Sequence, residues 1–375
     1  MFTSIIGRRF LDRANSRDGR SRSPAEFFDE EFFPLVFGHD DYLMPAGNSK
    51  FGQLVNNRKQ HRATAEREGR AWDDAEKTRL RNEALADFHG AAAKATEPFM
   101  HVVIGGYAEA ATKTTSGQVT AIDHRAGADD VYLSWIGAAA GAGVAGGLVL
   151  LIDHDAVFDA VRDGWALYRR ILAETPNLKA NQLETWNGQW LRHRFSANYD
   201  PANPASFIHG PDIINSKSPP YNVETVSWAR LLLSLGRALG DEPVSSHVYS
   251  LGQMNSTVGF VPLHLGATGV LRESYATLHG FYRAVFGEAA AAVPPDRLDE
   301  VYDAGHGFAQ ACARGAIGLS AFEPSGLRDF LPHGKNKQPR PVTPAEAQFP
   351  LLFQTWIFAM LGTQKNELLD RATEA

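Results

Sequence analysis

Apolar positions recur along much of the chain at helical spacing, three to four residues apart. Phe158, Val161, Trp165, Tyr168 and Leu172 keep it over 153–173, so one stripe of that segment faces a core. The same spacing predicts helices over 222–239, 271–286 and 297–313. From Arg58 to Lys94 the chain is charged, alanine-rich and helical in composition, and Glu97-Pro98 closes it. Short apolar runs at 100–107 and 117–122 read as strands. The run from Val248 to Leu265 reads as a β-hairpin, with Met254-Asn255-Ser256 near its turn.

Local signals mark where elements begin. In Ser23-Pro24-Ala25-Glu26, serine caps a helix, proline takes its first position and glutamate completes a capping box. The aromatics that follow, Phe27, Phe28, Phe32, Phe33 and Phe37, are too dense to stay in water. Thr343-Pro344-Ala345-Glu346 repeats the cap signature before a final helix holding Phe349, Phe353, Trp356 and Met360. Pro350 kinks or restarts that helix. Loops are expected at 47–50, 332–341 and the Pro/Asn/Ser-rich 198–221. The expectation is a helix-dominated α+β fold with a small mixed or antiparallel sheet in mid-chain. Three regions follow: a helical 1–98 with a basic arm, an α+β 99–200 around a glycine-rich segment, and a mainly helical 201–375 carrying the hairpin.

Val131 to Ile152 has no charged residue over 22 positions. That length approaches a membrane span, and a membrane-associated protein is one alternative reading. Five glycines from Gly137 to Gly147 and acidic flanks favour a buried strand, a glycine turn, and a second strand or helix start. Gly141, Gly143 and Gly146 form a literal GxGxxG. The short, β-branched run after them is a poor helix for holding a pyrophosphate.

Composition narrows the classes. The 375 residues carry 37 Lys plus Arg against 43 Asp plus Glu, a formal charge of −6, so the whole surface does not coat nucleic acid. Cys312 is the single cysteine, which excludes an internal disulfide or a multi-cysteine zinc site. It sits in an apolar helical context that suits a structural thiol. Residues 1–10 lack a long apolar signal core. The expected location is cytoplasmic, with no membrane partner.

Candidate chemistry lies in polar clusters. An arm from Gly7 to Arg22 carries six arginines, with Asp12 and Asp18 as its acids. Arg58, Lys59 and Arg62 open a basic patch that continues through Arg67, Arg70, Lys77, Arg79 and Arg81. Trp186, Asn187, Gln189, Arg192 and Arg194 mix rings, amides and guanidinium groups, although Trp186 and Trp190 are also spaced for a core helix. Gln253 and Asn255 form an amide-rich patch, and Lys335, Lys337 and Arg340 a basic loop. Cations for phosphates, amides for base edges and aromatics for unpaired bases are what nucleic-acid binding requires. The leading expectation is therefore a non-catalytic subunit that binds nucleic acid and other proteins in a larger intracellular complex, such as an RNA-guided or restriction-type defence assembly. The alternative is an HD-type metal-dependent phosphohydrolase. There, His154 and Asp155, with His124 and Asp159 or Asp163, would hold a divalent metal. No cofactor is expected outside that reading.

Overall fold

The computed structural model describes residues 2–47, 49–94, 127–210, 213–215, 217–250, 256–313, 315–324 and 351–363. The helices are α1 (Phe2–Asp18), α2 (Pro24–Phe27), α3 (Phe33–Val36), α4 (Lys50–Asn56), α5 (Arg58–Arg67), α6 (Asp74–Ala93), α7 (Ala128–Ala139), α8 (Asp155–Glu174), α9 (Leu183–Arg194), α10 (Trp228–Leu239), α11 (Gly266–Phe286), α12 (Leu298–Val301), α13 (Phe308–Cys312) and α14 (Leu351–Thr363). A π turn, Phe28–Phe32, joins α2 to α3. The strands are β1 (Ala142–Val144), β2 (Leu148–Ile152), β3 (Ile214–Asn215), β4 (Asn222–Val223), β5 (Val244–Ser250) and β6 (Ser256–Leu263). The fold is helix-dominated α+β. Its principal sheet is antiparallel, in the order β1-β2-β5-β6.

The capping box at Ser23 forms as expected: its hydroxyl accepts from the Glu26 N–H at 3.2 Å, and the Glu26 carboxylate accepts from the Ser23 N–H at 2.7 Å. The aromatic run behind it is buried, with Phe28 stacked on Phe88 at 5.0 Å and Phe37 on Phe51 at 4.8 Å. Buried residues from all three regions of the chain join one hydrophobic cluster, from Ile6 through Trp165 and Leu231 to Ala359.

The glycine-rich segment resolves differently from its expected strand–turn–strand. Residues 131–136 belong to α7, because a short apolar run fits a buried helix as well as a strand. A hairpin, β1–β2, follows, and Gly146 and Gly147 supply the positive φ of its turn at +99° and +75°. Gly137 serves a helix crossing: a Cβ there would lie 2.0 Å from the Thr3 carbonyl oxygen of α1. Gly7 meets the Leu133 carbonyl as closely from the other side. Gly143 is pressed against the backbone at Glu184 and Thr185, where α9 begins. Packing and turn geometry thus account for the GxGxxG. Among the described residues no helix is long and apolar enough to cross a membrane.

Other boundaries shift too. The segment 58–94 is split by a turn at Gly69, whose φ is +74°. The expected helix over 297–313 is two short helices separated by residues 302–307, where Gly305 and Gly307 interrupt it. The hairpin forms, with its first strand starting at Val244. The expected strands at 100–107 and 117–122, the loop at 332–341 and the cap at 343–346 lie outside the described residues.

Candidate functional site

The arginine-rich arm is helix α1, and its charge is spent inside the fold. Arg9, Arg13 and Arg17 repeat every four residues and so line one face. That face lies along α8. Arg9 donates to Asp153 at 3.1 Å, Arg13 to Asp159 at 3.0 Å, and Arg17 pairs with Asp163 at 2.9 Å. Arg8 reaches Asp129 at 3.4 Å. A second knot closes the ladder: Arg162 binds Asp18 at 2.6 Å and Glu31 at 2.6 Å, and Arg22 binds both acids. The arm is a stitched helix rather than a free cationic tail.

That ladder also consumes the HD candidate. His154 is the N-cap of α8: its Nδ1 accepts from the Ala156 N–H at 3.1 Å, so Nε2 carries the proton donated to Glu242 at 2.8 Å. Asp155 faces Arg9 and Arg13, each at 3.7 Å. Both residues hold a helix start, and a metal there would have to displace guanidinium groups. Among the described residues no three His, Cys, Asp or Glu side chains gather as a metal site. His124 lies outside them.

The aromatic–amide cluster on α9 is core. Trp186 is fully buried and donates to the Gly164 carbonyl at 2.9 Å. Asn187, also fully buried, donates to the Ala139 and Gly141 carbonyls, both at 2.8 Å, where it ties α7 to β1. Gln189 is buried and donates to the Glu224 carbonyl at 2.9 Å. These three amide and indole groups pin backbone that would otherwise lose hydrogen bonds, so none offers a face to a base. Arg192 and Arg194 are partly exposed, and Arg194 lies over the Tyr199 ring at 4.3 Å. Gln253, Asn255, Lys335, Lys337 and Arg340 fall outside the described residues.

The remaining patch is a concave site. Asp73 caps α6 by accepting from the Glu76 N–H at 3.0 Å. Lys77 and Arg81 then lie one turn apart on α6 and turn toward Asp40, in the loop after α3. Arg58 of α5 approaches the same carboxylate at 2.6 Å, Lys77 at 3.1 Å, and Arg81 bonds its other oxygen. Asp74 at the rim shares Lys77 at 3.1 Å. Trp72, Tyr42 and His39 complete the wall of a shallow open pocket with about 30 Å³ of internal space. Burial alone would raise the Asp40 carboxyl, but the Lys77 hydrogen bond and the three positive charges together lower it. His39 is lowered by burial first, then by the charges of Arg169 and Arg81, so its ring is neutral at pH 7. Lys59 and Arg67 are exposed on α5, and Arg62 pairs with Glu66 on its own helix, at 2.8 Å. Over 49–73 six cationic side chains face three acids, inside a chain whose total is negative.

Arg58, Lys59 and Arg62 are thus brought together; Trp186, Asn187 and Gln189 are not with them. Sequence reasoning missed the convergence on Asp40. The four-residue step from Lys77 to Arg81 was its available signal. It also missed Glu184, at the start of α9. Burial beside the fully buried Tyr249 pushes that carboxyl up to about 7. No known protein family, curated protein or solved structure matches the chain.

Proposed function

We propose that the chain is a non-catalytic subunit that binds the phosphate backbone of a nucleic acid through α5 and the cavity it shares with α6. The observation that carries this reading is the meeting of Arg58, Lys77 and Arg81 on the single carboxylate of Asp40. Three cations meet Asp40, with Asp74 sharing one of them at the rim, and the exposed Lys59 and Arg67 add positive charge along α5. Phosphate oxygens fit such a site by charge alone, and the contacts position a strand without reading its sequence. Trp72 in the wall adds partly exposed ring surface beside the cations.

The test is fluorescence anisotropy with labelled oligonucleotides, comparing the wild type with Arg58→Ala, Lys59→Ala and Arg62→Ala combined. The expected result is binding that weakens similarly for every sequence, with the salt slope falling by about one for each phosphate contact removed. Absence of wild-type binding at low salt, or an unchanged affinity in the triple variant, overturns the proposal.

A further inference from the structure

Among the described residues, five of the nine large exposed apolar side chains lie on two helices that pack together, α11 and α14. Tyr282 of α11 donates a hydrogen bond to Gln354 of α14 and forms the seam between them. Phe281 and Phe286 touch the Tyr282 ring, at centroid distances of 6.2 and 5.3 Å. Val285 lies one turn beyond Phe281 on the same helix. Phe358 and Leu361 follow Gln354 by four and seven residues, so they occupy the same face of α14. These five side chains each leave between 47% and 57% of their surface in water. The sequence of α14 has no charged residue over Leu351–Thr363 and is apolar all round. A helix of that kind is normally covered on every side, yet here Phe353, Thr355 and Ala359 alone are buried.

We infer that this face is a twofold interface with a second copy of the chain. Two observations select that occupant. The first is area. Taking about 200 Å² for a fully exposed aromatic side chain and roughly 150 Å² for a valine or leucine, the five residues leave on the order of 500 Å² of apolar surface open. Two copies placed face to face cover roughly 1,000 Å² from these residues alone, which reaches the floor of a specific interface before its rim is added. The second is charge. The centre carries none, so identical faces meet without like-charge repulsion, as homodimer cores do. At the rim, Arg283 and Glu288 sit together at 2.6 Å. A twofold axis can set each against its opposite in the other copy.

The experiment is sedimentation equilibrium of the full-length wild-type chain from about 1 to about 100 μM, since mass action sets the dimer population. The expected result is a concentration-dependent rise to twice the chain mass that persists at high salt. Phe281→Glu combined with Phe358→Glu weakens association at least tenfold, and circular dichroism confirms that the variant stays folded. Both substitutions sit at exposed positions, and the wild-type measurement alone can overturn the inference even if the variant fails to fold. A wild-type monomer throughout the range overturns the inference. So does a dimer that the paired glutamates leave unchanged, or an association that salt abolishes. A monomer would show that the face is covered within the chain or by a different protein.

Discussion

Glu184→Gln tests the electrostatics of the β1–α9 junction. In the fold the Glu184 carboxyl titrates at about 7 against an ordinary 4.5, because burial penalises its charged form. Below pH 4.5 both states hold the proton and nothing is lost. As pH rises toward 7 the unfolded carboxyl ionises first, so stability falls, and above the folded value the loss is complete. At 1.36 kcal/mol for each tenfold change in proton affinity, that loss is about 3 kcal/mol. Partial access of water to the carboxylate reduces it to about 2 kcal/mol. His193 and His247 act in the opposite direction in the same window. Burial, the leading cause for both, holds each at about 4, so their contribution is present above pH 6.5 and lost as pH falls toward 4. The raw pH curve therefore mixes signs, and the difference between wild type and variant isolates Glu184. Urea unfolding at pH 4 and pH 8 should show the variant gaining about 2 kcal/mol relative to wild type across that span. A difference constant to within about 0.5 kcal/mol would refute the buried-carboxyl argument.

Gly137→Ala places a Cβ 2.0 Å from the Thr3 carbonyl, so forcing α1 off α7 should cost about 3 kcal/mol in denaturant midpoints. Arg162→Ala leaves Asp18 and Glu31 with Arg22 as their remaining shared cation. NMR titration should then show the Asp18 carboxyl rising from about 2, a value set chiefly by its Arg162 hydrogen bond. His154→Ala removes the α8 cap and should cost about 1 kcal/mol of thermal or urea stability, with the bound-metal content of the purified protein unchanged. Asp40→Asn releases Arg58, Lys77 and Arg81 from their common acid, so oligonucleotide affinity in the anisotropy assay should increase severalfold.

Local chemistry was the legible part of the fold. Ser23 and Glu26 cap a helix through contacts three residues apart, and the stripe from Phe158 to Leu172 keeps one face for fifteen positions. Such signals survive because neighbours in sequence decide them. The pairing of Arg8, Arg9 and Arg13 did not, since their acids lie more than 120 positions away and no spacing announces them. Trp186 and Asn187 misled for a related reason: an aromatic–amide helix face looks alike whether it meets a base or the backbone of β1. At the site, the density of cations on α5 and α6 was visible. Asp40 as their meeting point depends on the loop after α3 folding back, which only the tertiary structure shows.

The central claim is that the α5–α6 face binds phosphates. The most direct measurement is the affinity of the wild-type chain for a labelled oligonucleotide between about 50 and 200 mM salt, titrated in small steps. The expected result is a linear fall of log affinity with log salt, its slope reporting several released counterions and dropping when Lys59 and Arg62 are replaced by alanine. Affinity that is flat with salt, or no binding at the lowest concentration, would contradict it.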